Sequence, residues 1–312
     1  MDGVLVIDKP IGPTSHDVVA RVRRALGERR VGHTGTLDPA ASGVLPLVIG
    51  RATRLARFLS AGDKSYEAVI RLGFSTETGD ATGTPLSTAA RGAMPSRADI
   101  DSTLDAFRGT FMQQPPSYSA KRVDGTRSYQ LARRSKREGT HVSAPPALPA
   151  AVQVTAHATD VVSIEGDTLA LRVRCSAGFY VRSLAHDLGE RLGTGGHLVG
   201  LRRTSCADFT LRHSIPLDVV ERDREAARAA IVPLAATLPA LASVALTAEG
   251  AKRASHGRDL RAEDVRWDSA APGTVSPADA EQWIRLLDDG GELVGIARTS
   301  ARGVLHPFVV LM

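Results

Sequence analysis

The 312 residues include 39 lysines and arginines against 34 aspartates and glutamates, a formal charge of +5 that favours a polyanionic partner. Hydrophobic residues at 43% and charged residues at 23% describe an ordinary globular composition, long enough for one large domain and a small one. Two cysteines without CxxC spacing exclude a disulfide framework or a cysteine zinc site; with no signal-peptide pattern and no apolar run of transmembrane length, the expected location is cytoplasmic.

Residues 3–7 form an apolar run ended by Asp8-Lys9-Pro10, a strand running into a loop. Thr14 opens a helix with Asp17 as capping-box partner, and Val18, Val19, Val22, Ala25 and Leu26 give it an apolar face. Arg21, Arg23 and Arg24 crowd the other face, and Arg29 and Arg30 follow. Next comes the stretch from Gly32 to Gly50, a glycine-rich loop with a single acid, Asp38, ahead of an apolar run at 44–49 that predicts a buried strand. Two roles stay open for Asp38: the cap of a short helix with Pro39 at its first position, or a reactive carboxylate. A phosphate loop is excluded, because no Gly-Lys-Ser/Thr closes the stretch and a carboxylate repels phosphate. A short helix over 51–59 and a strand over 65–74 follow, with Tyr66, Ala68, Ile70 and Leu72 on one face. On that pattern Tyr66 reads as an aromatic core residue.

Residues 79–91 read as loop or hairpin, and Ser96 with Asp99 caps a helix ended by Gly109. The prolines of Gln113-Gln114-Pro115-Pro116 make a stiff extended segment. Between Lys121 and Arg137 stand seven basic residues against one acid, Asp124, with Tyr118 and Tyr129 interleaved. That pattern suits an RNA backbone with unstacked bases and equally a solvated helix. Residues 144–151 read as a linker, 152–164 and 168–175 as a hairpin. A helix starts at 178–182, with Val181, Leu184, Ala185, Leu188 and Leu192 inward; Arg182 there reads as a surface charge and Tyr180 as a partly buried aromatic. Strand material over 197–211, a charged helix over 216–231 and the prolines at 233 and 239 complete a first domain, 1–235. The tail, 240–312, carries a helix capped by Thr247, a turn at Gly257 and strands near 292–298 and 304–311. No HExxH, serine elbow or dinucleotide fingerprint occurs, so the expected chemistry uses no metal and no cofactor and rests on the carboxylate as nucleophile or general base.

The stretch Gly32-His33-Thr34-Gly35-Thr36-Leu37-Asp38-Pro39, continued by Gly43-Val44-Leu45-Pro46-Leu47, resembles the signature of the TruB family of tRNA pseudouridine synthases. Asp8-Lys9-Pro10, Lys64-Ser65-Tyr66 with Arg71-Leu72-Gly73, Gln114-Pro115-Pro116 through Ser119-Ala120-Lys121, and Cys175-Ser176 through Tyr180-Val181-Arg182 with Leu201-Arg202-Arg203 match in the same order. The resemblance spans about 3–210. It departs at Ser42, where threonine is usual, and in an insertion up to Pro149 that is longer and less regular than the family's.

The resemblance implies an α+β fold: a mixed, mostly antiparallel sheet in a catalytic domain with a basic thumb insertion at about 110–150, and a small β-rich, PUA-like RNA-binding domain. It implies isomerisation of the T-loop uridine of tRNA to pseudouridine 55. Asp38 is then similar to the family's nucleophile, Tyr66 to the tyrosine that stacks on the target base and is implicated in removing its C5 proton, and Arg182 to the arginine paired with the carboxylate. Tyr180 and Leu201 resemble pocket residues, and His33 the histidine that fills the space left by flipped nucleotides. Lys9, Lys64 and Lys121 sit in family motifs as RNA contacts. The implied partner is tRNA, for a monomer needing no protein partner, membrane or cofactor. Two rival readings are a tRNA-binding and folding factor in which catalysis is secondary, and a subunit of the guide-RNA-dependent branch.

Overall fold

The computed structural model describes residues 1–86, 94–119, 121–123, 126–128, 148–266, 282–299 and 304–311. The linker start at 144–147, Tyr129 and the basic residues 133, 134, 136 and 137 lie outside them. The strands are β1 (Gly3–Lys9), β2 (Val31–His33), β3 (Ser42–Ile49), β4 (Lys64–Leu72), β5 (Gly109–Gln113), β6 (Arg122–Val123), β7 (Thr126–Arg127), β8 (Val152–Glu165), β9 (Thr168–Cys175), β10 (Gly196–Cys206), β11 (Phe209–Thr210), β12 (Ser214–Pro216), β13 (Ala242–Leu246), β14 (Val265–Arg266), β15 (Trp283–Leu287), β16 (Leu293–Thr299) and β17 (Leu305–Val310). The α-helices are α1 (Ser15–Leu26), α2 (Ala56–Ala61), α3 (Arg97–Asp105), α4 (Val181–Arg191), α5 (Leu217–Arg222), α6 (Arg224–Ala229) and α7 (Ala248–Ser255). Among the described residues no helix is long and apolar enough to cross a membrane.

The main sheet runs β12-β1-β3-β10-β4-β9-β8-β5, with β2 on β3 and β11 on β10; only β1/β12 and β3/β10 are parallel. A second sheet, β14-β13-β15-β16-β17, follows at the C-terminal end. Sequence pattern separates the two halves of the main sheet. The run Val4–Ile7 and most of β3 are apolar at successive positions because both faces of these strands are covered. On one face Leu5, Ile7, Leu45 and Leu47 meet α1, α5 and α6; on the other Val4, Val6, Val44 and Val48 share a core with Leu55, Leu59, Ile296, Val309 and Leu311. β4 alternates instead, with Tyr66, Ala68, Ile70 and Leu72 packed towards α3 and α4 and Glu67 and Arg71 exposed.

Helix α1 forms as its signals require. The Thr14 hydroxyl accepts the Asp17 N–H at 3.1 Å, the Asp17 carboxylate accepts the Thr14 N–H at 2.9 Å, and Gly27 ends the helix at φ 66°. Three expectations change. The charged helix over 216–231 is two short ones, because Asp223 adopts an extended backbone and caps α6. Gly109 opens β5 rather than ending α3, which stops at Asp105. The tail gains β13, β14 and β15, of which β15 is the central strand of its sheet.

Candidate active site

Asp38 occupies a tight turn. The Ala41 N–H donates to the Asp38 carbonyl at 3.0 Å, with Pro39 at the second position, so no helix starts there and the cap reading is overturned. The carboxylate instead meets Arg182: Nε donates to Oδ2 at 2.9 Å. Arg182 is not the surface charge its position at the head of α4 suggests, since its side chain is 6% exposed. Its two terminal nitrogens donate to the carbonyls of Thr78 at 3.0 Å and Tyr118 at 2.9 Å. A guanidinium held on three sides fixes the direction of the carboxylate it faces. Asp38 itself is 37% exposed and opens onto a pocket.

The backbone around Asp38 is tied by a different element at almost every step. The Ser15 hydroxyl, at the first turn of α1, accepts the Leu37 N–H at 2.9 Å and donates to the Leu37 carbonyl at 3.0 Å. The Gly12 N–H donates to Pro39 O at 2.8 Å, and Lys9 Nζ donates to Ala41 O at 2.8 Å. Arg203 donates to the carbonyls of Gly35 and Thr36 at 3.3 Å and of Val44 at 2.7 Å. Position 43 admits only glycine: its φ is 105°, and a Cβ would stand 2.2 Å from the Arg203 carbonyl where β3 meets β10.

The pocket is a small cleft of about 30 Å³ between the Asp38 turn, Arg182, residues 198–201 of β10, and Asp80-Ala81. Asp80 is 9% exposed; its Oδ1 accepts the Thr78 hydroxyl at 2.7 Å and the Thr82 N–H at 3.0 Å. The 79–81 segment is hung on β10 by Leu198 N–H to Gly79 O at 3.0 Å and Ala81 N–H to Leu198 O at 2.9 Å. The sequence predicts only a loop here, and the threonines at 76, 78 and 82 around Asp80 are the signal it carries.

Of the expected residues, Asp38, Arg182 and Leu201 line the pocket. Tyr180 stands two residues before Arg182 as the N-cap of α4; Gln113, 1% exposed, accepts its N–H at 2.8 Å and donates to its carbonyl at 3.1 Å. Burial raises the Tyr180 phenol, and the Ser119 hydroxyl beside it opposes the rise. Tyr66 is not a pocket wall. It is 8% exposed, in the core that also takes Leu37 and Ala41, with Arg203 beside its hydroxyl; burial pushes the phenol up to about 12. His33 is half-buried at the end of β2, edge-on to His16 with ring centroids 5.3 Å apart, and burial lowers its pKa.

The lysines divide. Lys9 is fully buried and cannot reach an RNA backbone as placed; burial, with Arg203 nearby, pushes its ammonium down to about 8 against the pull of Asp38. Lys64, 7% exposed, donates to Ser60 O and Gly62 O at 2.6 Å and so closes the C-terminal end of α2 rather than offering a surface charge. Lys121 is half-buried, its carbonyl accepting the Ser128 N–H at 2.7 Å.

Known proteins are similar to this chain. Residues 23–181 match the description of the TruB family pseudouridylate synthase N-terminal domain; 182–238 match the tRNA pseudouridylate synthase B C-terminal domain, and 242–311 the pseudouridine synthase II TruB C-terminal domain. The chain belongs to the TruB family. Its TruB relatives include the tRNA pseudouridine synthase B of Solibacter usitatus, 41% identical over 313 residues covering 100% of both chains. That of Gloeobacter violaceus is 42% identical over 100% of this chain and 99% of its own. Among solved structures, an H/ACA ribonucleoprotein bound to a substrate RNA containing 2′-deoxyuridine superposes with a TM-score of 0.71 at 26% identity, over 99% of this chain and 85% of that one. The TruB fold thus agrees with the expected α+β class and its mixed, mostly antiparallel sheet.

Proposed function

We propose that this TruB-family chain converts the T-loop uridine at tRNA position 55 to pseudouridine, with Asp38 as the nucleophile. The observation that carries the reading is the Asp38–Arg182 contact at 2.9 Å on the wall of a pocket. The reaction breaks the N1–C1′ bond, turns the uracil and joins C5 to C1′, and the C5 proton is lost as N1 gains one. A carboxylate held against a guanidinium is aimed for attack at the sugar or the base. Arg182 orients that carboxylate, while Leu201 supplies an apolar wall for the extruded base and Tyr180 flanks it. Tyr66 lies beneath the turn; a phenol pushed up to about 12 keeps its proton at neutral pH, so it serves as a neutral hydroxyl and not as a standing phenolate.

The substrate assignment is supported by relatives named tRNA pseudouridine synthase B that match the chain end to end. The domain division at 1–235 and 240–312 is supported by the change from one sheet to the other after β12, and we assign the second sheet a PUA-like RNA-binding role. Lys121 and the exposed Arg24 and Arg30 are assigned to the RNA backbone. The protein acts alone, as a cytoplasmic monomer, without cofactor. Position and independence are tested together by incubating the purified protein with tRNA transcripts and locating pseudouridine by carbodiimide adduct and primer extension. A single stop at position 55, lost when that uridine is replaced by cytidine, is expected. Modification elsewhere overturns the position, and a requirement for an added guide RNA overturns independent action in favour of the guided branch.

A further inference from the structure

Among the described residues the largest fully buried side chain is a cation that the proposed chemistry does not use. Arg203, on β10, is 1% exposed, and among the described residues no carboxylate lies within ion-pair distance of it. A buried guanidinium without a counter-ion needs its donors satisfied by other oxygens. Those oxygens are the carbonyls of Gly35 and Thr36 before Asp38 and of Val44 after it, and the Tyr66 phenol stands beside the same guanidinium across the β4–β10 ladder. The strands agree with this convergence: in the ladders Arg203 pairs with Gly43 of β3 on one side and with Tyr66 of β4 on the other. The glycine at 43 allows the close approach, since any side chain there would strike the Arg203 backbone.

We propose that Arg203 is a positioning residue that locks the Asp38 turn to Tyr66 before RNA arrives, so that nucleophile and phenol keep one fixed separation through the reaction. The inference rests on the assignment of Asp38 and Tyr66 above. The geometry explains why arginine serves here. Only a planar fork with five donors reaches three carbonyls on two segments and a hydroxyl on a third strand; lysine at the same position offers one ammonium on a flexible stem. Ser15 and Lys9 hold the turn from the α1 side and from β1, but neither touches Tyr66 among the contacts described. Leu37 and Ala41 pack in the core with Tyr66, but among the polar contacts of the described residues Arg203 is the one that meets both groups.

The test is Arg203→Lys in the full chain, with three readouts: folding by circular dichroism, tRNA affinity by filter binding, and single-turnover tritium release from tRNA labelled at uracil C5. Hydrogen–deuterium exchange over residues 33–45 of the free wild-type protein is measured in parallel. The expected result is a folded variant that binds tRNA within about threefold of wild type and turns over about a hundredfold or more slower, since a displacement of about 1 Å costs that much. Protection of the wild-type turn without RNA, and loss of that protection in the variant, is expected with it. A folded variant within about threefold of wild-type rate overturns the proposal. So does a loss of rate matched by an equal loss of affinity, or a wild-type turn that exchanges freely until RNA binds. If Arg203→Lys does not fold, the wild-type exchange decides: a protected turn supports the lock and a free one overturns it. A wild-type protein silent on tRNA refutes the proposed function, while the exchange still reads the tether on its own.

Discussion

A carboxylate is only as useful as the group that aims it, and Arg182 does so while anchored to Thr78 and Tyr118. Lysine at 182 can reach one of those three acceptors, so Arg182→Lys is expected to lower single-turnover tritium release by about 10²–10³-fold with tRNA affinity little changed, as for loss of one preorganised charge contact. Lys9 makes a pH prediction. Its folded pKa, about 8, lies below the ordinary 10.5. Between those values the unfolded chain holds a proton that the folded chain has shed, so this group makes stability rise with pH across that window, and the full cost of the buried charge applies below it. Lys9→Met is expected to remove that rise from urea-unfolding free energies measured between pH 8 and 10.5. An unchanged pH profile in the variant refutes the assignment.

At the scale of elements, the site depends on how closely β3 approaches β10. Gly43→Ala adds a Cβ 2.2 Å from a backbone oxygen at a φ that disfavours it, and should cost about 3–5 kcal/mol in chemical unfolding. Thr14→Ala removes one cap and should cost about 1 kcal/mol. The same two regions show what was legible in the chain. Helix α1 and strand β4 follow local rules, a capping box and a period of two, and both stand where those rules put them. Pattern singles out Asp38 but leaves its role open, since locally Asp38-Pro39 is as good a cap as a turn; Arg182 and Leu201 come only through the resemblance, Arg182 opening its helix like any surface charge. Its burial comes from Thr78 and Tyr118, 104 and 64 residues away, which no window of sequence contains. Lys9 and Lys64 failed as surface cations for the same reason, since their partners are carbonyls and carbonyls leave no mark in the sequence. Asp80, Ser15, Gln113 and Arg203 receive no role from the sequence because each acts chiefly on neighbouring backbone.

Over the whole molecule the two sheets are not independent beads. Leu293, Ile296, Val309 and Leu311 share a core with Val4, Val44, Val48 and Leu55 of the main sheet. Arg57 adds contacts across the same seam, its guanidinium 4.7 Å from the Phe308 ring centroid and 5.6 Å from that of Trp283. Deleting residues 240–312 is therefore expected to lower the melting temperature of the remainder by about 5 °C or more, measured by scanning calorimetry; each exposed large apolar side chain forfeits about 1.5–3 kcal/mol of burial. The charge of +5 predicts tRNA affinity that falls steeply with salt, read as the slope of log Kd against log salt; a flat slope contradicts a phosphate-backbone contact. The most direct test of the central claim is C5-tritium release from tRNA by the wild-type protein and by Asp38→Asn, with binding measured on both. Release by the wild type and none above background from a variant that still binds tRNA is the predicted result. Full release from Asp38→Asn contradicts it.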